Sequence, residues 1–168
     1  KRILPWRNHP TPYAVWVSEI MLQQTRVAAV MPYYERFMKA LPDLFSLARC
    51  EEDLLIKLWE GLGYYNRVRN MKRCAQICVE RYHGTLPASY ELLKELPGIG
   101  AYTAGAIASI AYQIPVCAVD GNVLRVFSRV LCLTDDITKE RTKRKFEAMI
   151  QDYLPLRCDA FNQALMEL

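Results

Sequence analysis

The chain lacks the marks of several whole classes of protein. No apolar run in its 168 residues approaches the roughly 20 that a membrane-spanning helix needs. The N-terminal Lys1-Arg2-Ile3-Leu4-Pro5-Trp6 has no long apolar region of the kind a secretory signal carries. Low-complexity tracts, charge blocks and internal repeats are missing, and the composition argues against disorder, collagen and coiled coil. No CxxC pair occurs among the six cysteines, Cys50, Cys74, Cys78, Cys117, Cys132 and Cys158. With no sign of secretion they read as reduced thiols in an intracellular protein. Cys74 and Cys78 share a helix face at most, and no metal site follows from within the chain. A nucleotide loop is missing too. Gly98-Ile99-Gly100 leads into no Gly-Lys-Ser/Thr, and Thr103 stands where a G-x-G-x-x-G pattern needs glycine. The charge excess is only +4, which permits a polyanionic partner without requiring one. What is present, 52% hydrophobic and 24% charged residues, fits a soluble globular chain of one domain or two small lobes.

Apolar periodicity is helical almost throughout and predicts an all-α fold. Thr11-Pro12 starts a helix that runs to about Gln24. Thr25 caps the next, through about Ala40, with Pro32 kinking or breaking it. A short helix follows Leu41-Pro42-Asp43, and another covers Glu51 to Glu60 before Gly61. A long amphipathic helix spans Tyr64 to Tyr82. Ser89 caps a short one ending near Leu96-Pro97-Gly98, and Gly100 opens one reaching about Tyr112. Asp120 or Gly121 opens a helix to about Leu133, Thr138 caps one to about Tyr153, and Asp159 begins the last. Ile114 to Val119 is the single strand-like run, short and without a partner.

Four stretches carry chemistry. Leu96-Pro97-Gly98-Ile99-Gly100 forms a glycine-bent hairpin before a helix of small residues, leaving first-turn amides available to a phosphate; an ordinary helical hairpin fits equally well. Asp120, in Val119-Asp120-Gly121-Asn122, reads locally as an N-cap. Glu19 lies among Trp16, Val17, Ile20 and Met21. It either sits at a wet edge or is buried, and burial raises its pKa as a general acid requires. Gly61-Leu62-Gly63-Tyr64-Tyr65 followed by Arg67, Arg69, Lys72 and Arg73 pairs aromatics with a basic face, a combination that suits nucleic acid or a tyrosine-rich core edge. Arg141, Lys143, Arg144 and Lys145 read as a solvated face.

Taken in order, LPW at 4–6, PYxxWVSEIMLQQT at 12–25, GLGYYNRVRN at 61–70, LPGIGAYTAGAI at 96–107, AVDGNVLRV at 118–126 and FNQALMEL at 161–168 resemble the helix-hairpin-helix DNA glycosylases, specifically adenine DNA glycosylases of the MutY type. The resemblance spans almost the entire chain. It implies that an adenine mispaired with 8-oxoguanine or guanine in double-stranded DNA is flipped into a pocket and its N-glycosidic bond hydrolysed. Glu19 matches the acid that protonates the adenine ring. Asp120 matches the carboxylate that stabilises the oxocarbenium-like sugar, at a helix N-terminus that favours an anion. Tyr102 and Asn122 match polar residues around them. A lysine at the position of Tyr102 makes related endonuclease III-type enzymes cut the strand through a Schiff base; Tyr102 therefore implies a monofunctional enzyme. Gln24 and Tyr64 match side chains inserted into the base stack, and Gln23 and Arg67 lie beside them. Trp6 and Arg7 match a segment near the opposite strand. Leu96, Pro97, Gly98, Ile99 and Gly100 match the phosphate-binding hairpin, where the backbone at Lys94, Leu96 and Ile99 can hold a monovalent cation.

The family pattern continues past Leu168 with four cysteines that bind a [4Fe-4S] cluster, and often with a Nudix-like domain that helps read 8-oxoguanine. No cysteine here matches a cluster ligand, so the sequence reads as a catalytic-core fragment. The expected architecture is two helical lobes: a six-helix barrel over 6–114 with the hairpin, and part of a second, iron–sulfur lobe over 115–168 together with 1–5. Expected partners are mispaired duplex DNA and no membrane, for a monomer in the bacterial cytoplasm or another DNA-containing compartment. Two rival readings are a thymine or uracil–guanine mismatch glycosylase of the same superfamily and a non-catalytic hairpin module that only binds DNA. Glu19 favours adenine, because a purine ring nitrogen needs a proton donor.

Overall fold

The computed structural model describes residues 4–167. They form eleven helices and no strands, an all-α fold as expected. The helices are α1 (Pro5–Asn8), α2 (Pro12–Leu22), α3 (Val27–Ala40), α4 (Leu44–Arg49), α5 (Glu52–Trp59), α6 (Asn66–Arg81), α7 (Tyr90–Lys94), α8 (Ala101–Tyr112), α9 (Gly121–Val130), α10 (Glu140–Asp152) and α11 (Cys158–Glu167).

Local chemistry sets most boundaries. Thr11 caps α2 by accepting the Ala14 amide at 3.1 Å, and Pro12 fills the first turn, where a missing N–H costs nothing. Asp43 and Ser46 cap α4 reciprocally. Three boundary expectations give way. Thr25 does not cap α3; its hydroxyl donates to the Gln23 carbonyl and closes the turn after α2. Pro32 does not break α3, which runs through it to Ala40. Thr138 does not cap α10, because Asp136 captures both its amide (3.0 Å) and its hydroxyl (2.7 Å). The single turn α1 is too short to leave a periodic signal.

Two helices are buried on every side, α2 from Tyr13 to Met21 and α8 from Thr103 to Ser109, the expected fate of helices apolar all round. They pack against each other at the centre. Around them a large cluster gathers core residues from Leu4 to Ala108, and a smaller one joins Val123, Leu124, Phe146, Ile150 and Leu165 of α9, α10 and α11. Leu4 was assigned by sequence to the second lobe, yet it packs in the larger cluster beside Trp6. Residues 1–3 of that assignment lie outside the described residues.

The run from Ile114 to Val119 forms no strand. Side chains satisfy its backbone instead. Gln151 of α10 accepts from the Cys117 amide (3.0 Å) and donates to the Pro115 carbonyl (2.6 Å). Asn162 of α11 accepts from the Ala118 amide (3.2 Å) and donates to the Val116 carbonyl (2.9 Å) and Ser109 Oγ (2.8 Å). This linker crosses α8 in close contact: a Cβ built on Gly105 would lie 2.4 Å from the Cys117 carbonyl oxygen. The crossing delivers Asp120 to the face of α8 that carries Tyr102.

Candidate active site

Helices α2 and α8 and the linker bring Glu19, Tyr102 and Asp120, distant in sequence, to one cavity of about 380 Å³. Asn122, Trp6 and Arg7 line it as well. Its volume falls in the range of small-molecule sites. Glu19 is only 8% exposed. Burial raises its pKa from the usual 4.5 to about 7. A hydrogen bond donated by the Tyr102 hydroxyl opposes the rise, the nearby Asp120 charge adds to it, and the Arg7 charge opposes it. A carboxyl near 7 is poised to give up a proton at neutral pH. The Tyr102 hydroxyl is itself pushed well up by burial and by Glu19, so it remains a donor.

Asp120 does two things. Its Oδ1 accepts the Asn122 and Val123 amides at 2.9 and 2.8 Å, capping α9, while the residue also lines the cavity. The cap does not use up the carboxyl, since both amide bonds fall on one oxygen. Asn122 is held by Arg125, whose guanidinium donates to Asn122 Oδ1.

The residues matched to DNA contacts separate into groups. Gln24 and Tyr64 are exposed, Tyr64 at 68%, on turns where both adopt left-handed backbone (φ 59° and 49°), at about 1 kcal/mol each for a residue with a Cβ. The hairpin is real: α7 and α8 flank it, Leu96 and Ile99 point into the core, and Gly98 and Gly100 are exposed. Gly98 has φ 77°, and the α8 N-terminus has no side-chain cap. Pro97 is half-buried between these residues. The Leu96 carbonyl, one of the three matched to a cation, accepts the Ile99 amide at 3.1 Å. Lys94 pairs with Glu91 at 2.7 Å.

Three residues grouped with the DNA contacts are partly or wholly buried here. Trp6 is 5% exposed, its ring edge-on to Tyr34 at 5.1 Å between centroids, so it is cavity wall and core. Arg67 is half-buried with all its terminal donors on backbone: Nη1 bonds the Ile20 and Gln23 carbonyls (both 2.8 Å) and Nη2 those of Leu62 (2.9 Å) and Gly63 (3.3 Å). Gln23 is likewise half-buried and spends its carbonyl on Arg67. The basic face near residue 141 is solvated as expected, with Lys143 on Glu140 and Lys145 on Asp135.

Sequence reasoning missed Asn162, which is wholly buried and holds the linker before Asp120. An asparagine between the apolar Phe161 and Leu165 of a helix was the available signal. It missed Gln163 and Met166, which add α11 to the cavity wall. Among the described residues no three His, Cys, Asp or Glu side chains gather to hold a metal ion. Cys74 and Cys78 are buried along α6, and Cys158 donates to the Ile114 carbonyl at 3.4 Å. The thiols present therefore do not fit an iron–sulfur cluster. No helix among the described residues is long and apolar enough to cross a membrane.

An all-helical chain with a helix-hairpin-helix beside a cavity that joins a buried glutamate to a capping aspartate defines a class, and comparison with known families agrees. The chain belongs to the HhH-GPD superfamily of base excision DNA repair proteins, whose model matches residues 17–152. Curated relatives called adenine DNA glycosylase include those of mouse (46% identical), human (44%) and Buchnera aphidicola subsp. Baizongia pistaciae (39%). Each match covers the whole chain but only 35%, 33% and 48% of the respective relative. Among solved structures, a thermostable thymine-DNA glycosylase superposes with a TM-score of 0.87 at 24% identity, over 99% of this chain and 77% of that one. An endonuclease III–DNA complex gives 0.79 at 21%, over 92% and 72%. At these identities the likeness is one of fold.

Proposed function

We propose that the chain carries the catalytic machinery of a monofunctional adenine DNA glycosylase, acting in base excision repair on adenine opposite 8-oxoguanine or guanine. The observation that carries this reading is the pairing across one cavity of Glu19, its pKa raised to about 7, with Asp120, fixed by two amides. Cutting an N-glycosidic bond to a purine asks for these two roles. One group protonates the leaving base, and the other stabilises positive charge developing on the sugar. Glu19 gives its proton to the flipped adenine while the Tyr102 hydroxyl keeps the carboxyl oriented. Asp120 faces the sugar with its carboxyl already aligned, so no reorganisation accompanies the charge. The bond from sugar to base breaks, water adds to the sugar carbon and gives its proton back to the Glu19 carboxylate, leaving an abasic site. Tyr102 offers no amine to form a Schiff base, so the strand stays uncut. In this reading the larger helical group with the hairpin and the smaller one after residue 114 act as two lobes on one duplex. The exposed Gln24, Tyr64 and hairpin amides meet the DNA, with Arg7 at the cavity mouth. A monomer in a DNA-containing compartment suffices.

Single-turnover excision from duplexes with adenine opposite 8-oxoguanine or guanine, and with thymine opposite guanine, tests the reading. Release of adenine without strand cleavage supports it. Preferential release of thymine, or binding with no release of any base, would replace it with a rival. Glu19→Gln should abolish release and leave duplex binding within about threefold. Excision near the wild-type rate in that variant would remove Glu19 from its role.

A further inference from the structure

We infer that Arg67 is a positioning residue that locks the Gln24 and Tyr64 turns into one rigid unit, so that the two side chains engage a duplex together. The inference rests on the DNA-binding reading above. Four guanidinium hydrogen bonds divide evenly between two loops that are distant in sequence. Ile20 lies in the last turn of α2 and Gln23 directly after it, just before Gln24; Leu62 and Gly63 lead directly into Tyr64. Both turns place a non-glycine residue in left-handed backbone, a conformation that persists only where surrounding contacts over-determine it. The guanidinium also lies 5.6 Å from the Tyr64 ring centroid and 5.3 Å from that of Trp59. Trp59 in turn donates to the Gly63 carbonyl at 3.0 Å. A planar fork serves four carbonyls at once, and an ammonium cannot. A basic residue on a face that suits nucleic acid is therefore spent on aiming its neighbours.

Two experiments on the intact protein decide this. In the wild type, native-state amide exchange of the Thr25 and Arg67 amides, which bond the Leu22 and Tyr64 carbonyls and so close the two turns, should report a common opening free energy, since release of one guanidinium frees both. Independent openings would overturn the proposal without any reference to activity. Next, Arg67→Lys should lower the fluorescence rise of a 2-aminopurine placed opposite 8-oxoguanine, and slow single-turnover excision about tenfold, with the pH midpoint of excision unchanged. In a Gln24→Ala/Tyr64→Ala background the same change should cost less than about threefold, because the residues it serves are gone. A wild-type fluorescence rise in Arg67→Lys, or an undiminished cost in that background, would overturn the positioning role. Failure of the wild-type protein to extrude the probe from any duplex would count against the adenine reading, while the exchange result still decides the lock.

Discussion

At the scale of single residues, Glu19 stores a measurable penalty. Its pKa stands at about 7 when folded against 4.5 for a free carboxyl, so between those values the folded chain binds more protons than the unfolded one. Stability therefore falls as pH rises from 4.5 to 7 and levels off above, by about 3 kcal/mol if the full shift is expressed. Glu19→Gln, neutral throughout, should remove that slope; denaturant melts at pH 4.5 and 8 should show the variant gaining stability over wild type only at the higher pH. Excision should decline above about pH 7 as the acid loses its proton. Tyr102→Phe deletes the hydrogen bond that holds the Glu19 pKa down, so the alkaline limb of its pH–rate profile should move upward. A limb that stays put or moves down would mean the hydroxyl does not act on Glu19. Glu19 was legible in the sequence as an acid in apolar company, but local pattern left it between a wet edge and the core. Only the packing of α2 against α8 closes that choice. Trp6 and Arg67 went the other way. The resemblance placed Trp6 near the opposite strand and residue type placed Arg67 on a basic face; long-range burial makes one core and the other scaffold.

At the scale of elements, Asp120 separates capping from chemistry. Asp120→Asn keeps an oxygen for the Asn122 and Val123 amides and should stay within a few tenths of a kcal/mol of wild type, while Asp120→Ala loses the cap as well, about 1 kcal/mol. Both should lose excision. Chemical denaturation alongside single-turnover rates distinguishes the two losses, and an active Asp120→Asn would deny the carboxyl a role. Gly105 is the counterpart within α8. Alanine there gains about 1 kcal/mol of helix propensity. Its Cβ, however, meets backbone at 2.4 Å, and overpacking of this kind costs about 1–3 kcal/mol. The linker must move, and Asp120 with it, so Gly105→Ala should lose activity out of proportion to a small shift in melting temperature. Ten of the eleven helices among the described residues, and their order, were readable from periodicity and caps; the single turn α1 was not. Those signals failed at Thr25 and Thr138, where a threonine has an equally local alternative partner, and no local signal marks a linker whose hydrogen bonds come from Gln151 and Asn162, 34 to 46 positions away.

At the scale of the whole molecule, two hydrophobic clusters hold the two halves of the site. Glu19 and Tyr102 sit on helices anchored in the larger cluster, and Asp120 opens the helix that anchors in the smaller. The family resemblance carried the two-lobe expectation, since periodicity alone cannot tell which helices share a core. The segment that joins the halves has no sheet partner. It is tied down by the amides of Gln151 and Asn162, and a few side-chain bonds give way more readily than a packed core. Heat should then act on the protein in two stages. The gap between Glu19 and Asp120 should widen first, while both clusters stay intact, so any excision activity should be lost several degrees below the loss of near-ultraviolet dichroism. Cooling from that window should restore full activity at once, without the delay of refolding. A search for a hardier variant should therefore begin at the linker and its bonds to Gln151 and Asn162, and leave the core alone.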